Sequence, residues 1–227
     1  MNMRRVFVCG VIGVSALANA SPAVFYAGDV ANVGGCRAQV NYPIGFDSRL
    51  YDNFTLGQAT NIDGLSASFS INATNATSVS WEIRSGVQAG SGGTLLYSGT
   101  NACTNTYENT WSTYKYVASI PTITLGPGDY YLSISANGGS DWIYVAGTLG
   151  DNAVGGPIAD GKSIWNCPQF GFNWLPVEVV NNGNSFNCAY GLTGTAVVPE
   201  PSSILTLSLG VLAFRRRRRK LTASWLD

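Results

Sequence analysis

From Leu65 to Ile71 the apolar residues Leu65, Ala67, Phe69 and Ile71 alternate strictly with Ser66, Ser68 and Ser70, and this pattern constrains the fold more than any other feature of the chain. Successive side chains of an extended strand point to opposite faces, so the alternation places one face inward and one in water. Val79, Trp81 and Ile83 alternate in the same way with Ser80, Glu82 and Arg84, which assigns Trp81 to the core. Tyr114, Tyr116, Ala118 and Ile120 do so with Lys115, Val117 and Ser119. Ile123 and Leu125 lead into Gly126-Pro127-Gly128-Asp129, and Tyr130, Leu132 and Ile134 carry the chain back, which predicts a hairpin. Turn residues such as Gly90-Ser91-Gly92-Gly93, Asn137-Gly138-Gly139 and Asn181-Asn182-Gly183 separate these runs. No stretch between the two ends of the chain sustains a helical period. The fold class that follows is all-β, a single antiparallel β-sandwich of the jelly-roll kind over residues 21–197.

The two ends carry different signals. Arg4 and Arg5 precede the apolar stretch Val6 to Leu17, and Ala18-Asn19-Ala20 supplies the small residues that signal peptidase requires, so residues 1–20 read as a signal helix and Ser21 as the mature start. Cys9 then falls inside the apolar part of that helix. At the other end, Val198-Pro199-Glu200-Pro201 breaks the chain before the uncharged run Ser202 to Phe214, and the basic block Arg215, Arg216, Arg217, Arg218, Arg219 and Lys220 follows. Prolines end the folded domain, an apolar helix inserts into a bilayer, and a cationic block holds the last segment in the cytoplasm. At about 1.5 Å per residue the helix over 202–214 reaches only about 20 Å, short of the roughly 30 Å hydrocarbon core. Such a helix suits transient membrane residence better than permanent anchoring. Residues 221–227 form a short tail beyond it.

This C-terminal succession, over 198–220, resembles the PEP-CTERM sorting tail of exported bacterial proteins, a tail also described as the C-terminal domain of ice-binding proteins. The resemblance implies that Pro199, Glu200 and Pro201 are the sorting motif read by an exosortase-type processing enzyme. It also implies a membrane-tethered intermediate that proceeds to the cell surface or the extracellular space. The stretch from Tyr51-Asp52-Asn53-Phe54-Thr55-Leu56 through Trp81-Glu82-Ile83 to Leu125-Gly126-Pro127-Gly128-Asp129-Tyr130-Tyr131-Leu132-Ser133-Ile134 is similar to the sandwich module found upstream of this tail in many such proteins. That module implies a fold and no assigned activity.

Charge divides along the same boundaries. Between Ser21 and Pro201 there are five basic and twelve acidic residues, a net charge of −7, which the basic ends of the chain conceal. An acidic domain poor in lysine lacks the footprint of a nucleic-acid partner. Past the signal helix four cysteines remain, Cys36, Cys103, Cys167 and Cys188, and an even number in an exported chain predicts two disulfides. Three pairings are open, of which Cys167 with Cys188 and Cys36 with Cys103 is the expected one. The chain contains no histidine and no C-x-x-C pair, which speaks against zinc and against Ser-His-Asp or Cys-His catalysis.

No catalytic residue, metal site or cofactor is assigned. Carboxylates such as Asp47, Asp52, Asp63, Glu82, Asp141 and Glu178 are spaced singly, so nothing selects the pair a glycosidase needs. Asp151-Asn152 and Asp160 offer oxygen atoms without the spacing of a calcium loop. Threonine arrays that would suit ice occur only as fragments such as Thr122-Ile123-Thr124. The chain thus reads as a non-catalytic structural or adhesive protein of the envelope or extracellular polymer. The alternative is a carbohydrate-binding module with Trp142, Trp165 and Trp174 as the glycan platform and extracellular polysaccharide as the partner.

Overall fold

A computed structural model describes residues 21–42, 45–70, 76–108, 112–138 and 141–198. Two β-sheets face one another. The eight-stranded sheet contains β1 (Ala23–Tyr26), β2 (Val30–Arg37), β5 (Thr60–Ser70), β8 (Thr104–Glu108), β9 (Thr113–Leu125), β11 (Tyr144–Thr148), β14 (Asn187–Cys188) and β15 (Tyr190–Ala196). The seven-stranded sheet contains β3 (Gln39–Tyr42), β4 (Phe46–Leu56), β6 (Ser78–Ser85), β7 (Thr94–Ala102), β10 (Gly128–Asn137), β12 (Ile164–Cys167) and β13 (Phe172–Pro176). Pairing is antiparallel except between β10 and β3. A 3-10 turn, Pro168–Phe170, and one helical turn, α1 (Val177–Val180), complete the described elements.

The alternating runs lie where their period puts them. Leu65, Ala67 and Phe69 on β5, Val79, Trp81 and Ile83 on β6, and Tyr116 and Ala118 on β9 are all buried between the sheets. Each fully buried side chain of this size contributes about 1.5–3 kcal/mol. The Trp81 indole N–H donates to Asn101 Oδ1 at 2.9 Å, so its polar atom is satisfied as well.

The expected hairpin at Gly126-Pro127 is not one. Its two strands belong to different sheets: Leu125 of β9 pairs with Thr60 of β5, whereas Gly128 of β10 pairs with Leu56 of β4. The turn is an arch across the sandwich, and the β4–β5 connection beside it makes the same crossing. The physical reason is that both edges are already taken: β9 is paired by β5 and β8, and β10 by β4 and β6, so neither strand has an edge free for the other.

Strand direction gives the sandwich two distinct poles. Ala23 of β1 pairs with Thr193 of β15, the Gly194 N–H donates to the Pro22 carbonyl at 3.0 Å, and the Val197 N–H donates to the Ala59 carbonyl at 2.8 Å. Both described ends of the chain therefore leave at one pole, the pole of the two arches. β4 rises to that pole at Leu56 and begins at the opposite one at Phe46. At about 3.3 Å per residue the two poles are about 33 Å apart.

Candidate functional site

The far pole collects aromatic rings around one buried cation. Arg37 ends β2, is 2 % exposed, and directs its Nη2 and Nε toward Gln39 Oε1 at 3.0 and 3.3 Å. Gln39 in turn donates through Nε2 to the Gly138 and Asp141 carbonyls at 2.7 and 3.1 Å, which ties the loop before β11 to β3. The guanidinium carbon lies 3.8 Å from the centre of the Phe46 ring and 4.4 Å from that of Trp142. A desolvated guanidinium over an aromatic face contributes about 2 kcal/mol. Phe170, carried by the 3-10 turn after β12, packs on Phe46 at 4.6 Å and approaches Trp142 at 6.2 Å. Trp142 and Phe170 each remain 47 % exposed.

The three tryptophans expected to form one platform are not together. Trp165 stacks on Phe172 at 4.6 Å and donates its indole N–H to Ser48 Oγ at 2.7 Å, half-buried against the core. Trp174 packs on Tyr51 at 4.9 Å, with the Arg84 guanidinium 5.1 Å from its ring, in a second small cluster that also holds Val87 and Ile164. Its backbone is held at φ 53° by the Gly90 N–H, which donates to the Trp174 carbonyl, and a Cβ on Gly92 would collide with its ring. Of these three, only Trp142 presents a substantially open ring. The residues that make that ring a site, Arg37, Phe46 and Phe170, come from three separate elements and share no spacing. In the sequence, Phe170 is marked only by the crowding of Trp165, Phe170, Phe172 and Trp174 around Cys167.

The structure also brings together two carboxylates whose sequence spacing selects neither. Asp52 is fully buried between the sheets and accepts hydrogen bonds from the Cys188 N–H at 2.7 Å, from Asn187 Nδ2 at 3.0 Å and from Ser163 Oγ at 3.1 Å. The same Asn187 amide donates to Asp160 at 3.2 Å. Burial pushes the Asp52 carboxyl up to about 7, against the opposing pull of the Cys188 and Ser163 donors. Asp160 goes the other way: burial would raise it, but donors from Asn53, Asn187 and Lys162 hold it below the ordinary carboxylate value. Split carboxyls of this kind can act as acid and base. Here Asp52 has no exposed surface and both oxygens are taken, so the pair works as a joint between β4 and β14.

Of the loop residues that offered oxygen atoms, Asp160 accepts from Asn53 Nδ2 at 2.9 Å and from Asn187 Nδ2 at 3.2 Å. Asn152 Nδ2 donates to Asp29 at 2.7 Å, and among the described residues no group of three or more acidic or cysteine side chains could hold a metal ion. Glu82 accepts from Tyr51 at 2.8 Å and pairs with Arg49 and Arg84. Asp63 receives the Ser21 and Thr193 hydroxyls, and Asp47 receives the Asn41 N–H. Asp141 and Glu178 are exposed.

The expected disulfides are not formed, and Cys36, Cys103, Cys167 and Cys188 are free thiols. Cys167 and Cys188 sit on strands of opposite sheets, and the Cys188 sulfur faces Ser163 Oγ at 3.9 Å. Cys36 pairs in register with Val145 on β11, while Cys103 lies at the crossing from β7 to β8. Burial pushes the Cys36 thiol up to about 12, and raises Cys188 well above its ordinary value with the nearby Asp52 as a second cause. Thiols so raised are poor nucleophiles and slow to oxidise.

The expectations for the signal helix over 1–20, for Pro199, Glu200 and Pro201, and for Arg215 to Lys220 lie outside the described residues. Among the described residues no helix is long and apolar enough to cross a membrane. What the described part shows is a β-sandwich whose last strand, β15, ends at Ala196, at the pole where the described residues also begin. Residues 197–220 match the PEP-CTERM protein-sorting motif. The motif carries with it processing by an exosortase and export through the membrane-associated sorting route to the cell surface or extracellular space. No curated protein matches the chain.

Proposed function

We propose that the exported sandwich is a non-catalytic structural or adhesive component of the cell envelope or extracellular polymer, delivered by its signal helix and C-terminal tail. The observation that supports this reading is the load path. β15 feeds the sorting motif and is hydrogen-bonded on both sides, to β1 and to β5. A pull applied at the C-terminal end of β15 is therefore resisted by two ladders in shear, a geometry suited to a suspended protein. The enclosed Asp52–Asp160 pair supports the non-catalytic half of the reading, since its buried member offers no approach to a substrate.

The test is cellular. A strain lacking the chain, complemented by the wild type or by Glu200→Ala, is fractionated and scored for cohesion of its extracellular polymer. The reading predicts loss of cohesion in the null strain, restoration by the wild type, and retention of the Glu200→Ala chain in the membrane fraction. Unaltered cohesion in the null strain would contradict it.

A further inference from the structure

The far pole is built as a small, rigid, half-open aromatic surface at the greatest distance from both chain exits. We propose that Trp142 and Phe170 form a binding platform for a neutral polysaccharide, with Arg37 as the positioning residue that fixes the Trp142 ring. This deepens the adhesive reading above and rests on it for its setting.

Three observations select the ligand. The first is shape. About half of each ring is open, which at 150–250 Å² per aromatic side chain amounts to roughly 200 Å² of apolar surface. That suits the face of one or two sugar rings. It falls far below the roughly 800 Å² per partner that a stable protein–protein contact needs, so a second copy of the chain is not the occupant.

The second is rigidity. The buried guanidinium lies over both Phe46 and Trp142 and is held by Gln39, which also fastens the loop carrying Trp142 through the Gly138 and Asp141 carbonyls. A ring fixed in advance loses little entropy when a weak ligand stacks on it.

The third is charge. Exposed Asp47 and Asp141 adjoin Phe46 and Trp142 in sequence, and the exported part carries a net charge of −7. An anionic polymer would be repelled, whereas the hydroxyls of a neutral glycan can donate to these carboxylates. Position agrees with all three, because a domain attached through the C-terminal end of β15 turns this pole away from its attachment.

The experiment uses the full-length chain purified in mild detergent and measures retention on microcrystalline cellulose, on chitin and on alginate beads. Retention on at least one of the two neutral polymers and not on alginate is expected. Trp142→Ala and Phe170→Ala should each weaken it about tenfold or more, with unchanged far-ultraviolet circular dichroism. Tyr107→Ser, which removes another exposed ring on β8, should leave it intact. Retention on neither neutral polymer, preference for alginate, equal loss with Tyr107→Ser, or self-association that disappears in Trp142→Ala would each overturn the proposal. Binding is read on the purified chain, so its failure leaves the cellular role standing, and failure of the cellular role leaves the binding result standing.

Discussion

Asp52 and Arg37 are both charged residues removed from water, and the sandwich treats them in opposite ways. Asp52, at the joint between the sheets, is enclosed by N–H and O–H donors from β14 and from Ser163, and its own burial lifts it toward neutrality. Arg37, at the far pole, keeps its charge and spends it on aromatic faces, one of which reaches the surface. The first arrangement uses every polar atom internally and holds the fold together. The second leaves a surface open while stiffening it. Burial of charge alone therefore does not mark a functional site; what its partners leave exposed does.

The largest expected difference between the two regions is in pH. Because the folded state keeps the Asp52 proton to about pH 7, the contribution of this group is fully present below the unfolded value near 4 and is lost as pH rises through about 7. A shift of this size corresponds to as much as about 4 kcal/mol by linkage. Asp29 and Asp160, both held low by their donors, act in the opposite sense and below that window. Urea midpoints between pH 4 and 8 should fall for the wild type and stay level for Asp52→Asn; a parallel decline in the variant would break the comparison. Asp52→Ala, which strands the Cys188 N–H and the Asn187 amide, should cost about 3 kcal/mol in the same titration.

At the far pole, Arg37→Ala should cost about 2 kcal/mol and add no pH dependence, since it removes stacking and leaves no titrating group behind. Broadening of the Trp142 indole signal in NMR spectra of that variant would show the ring released. At the exit pole, Asp63→Ala deprives the Ser21 and Thr193 hydroxyls of their acceptor and should cost about 1 kcal/mol, visible as faster amide exchange along β1. The smallest effect belongs to Trp142→Ala, whose half-exposed ring should change stability little while changing binding most.

Much of the sandwich is legible in single strands. The alternation of Val79, Trp81 and Ile83 names the buried face of β6 because strand geometry permits no other reading of it. Which strands pair is not legible in the same way, as the arch at Gly126-Pro127 illustrates: a turn sequence specifies a reversal and leaves open whether the returning strand joins the same sheet or the facing one. Cysteine count fails for a related reason. It reports oxidising export, whereas bridging needs two sulfurs turned toward each other, and here the Cys188 sulfur faces Ser163 Oγ and the four thiols stay free. The platform was half legible: Trp142 stands out as an aromatic in a loop, but Arg37 and Phe46 read as an isolated charge and an ordinary strand residue. Their meeting is a property of the topology, which brings the end of β2 to the start of β4.

Both described ends of the domain point to one pole, and the central claim is that both ends of the chain are trimmed after export. Intact mass of the protein recovered from its native cells tests that claim most directly. The account predicts a chain beginning at Ser21 and lacking everything from near Pro199 onward, with four free thiols titrated after unfolding. Recovery of a chain that still carries Arg215 to Asp227 would contradict it and make the tail a permanent anchor.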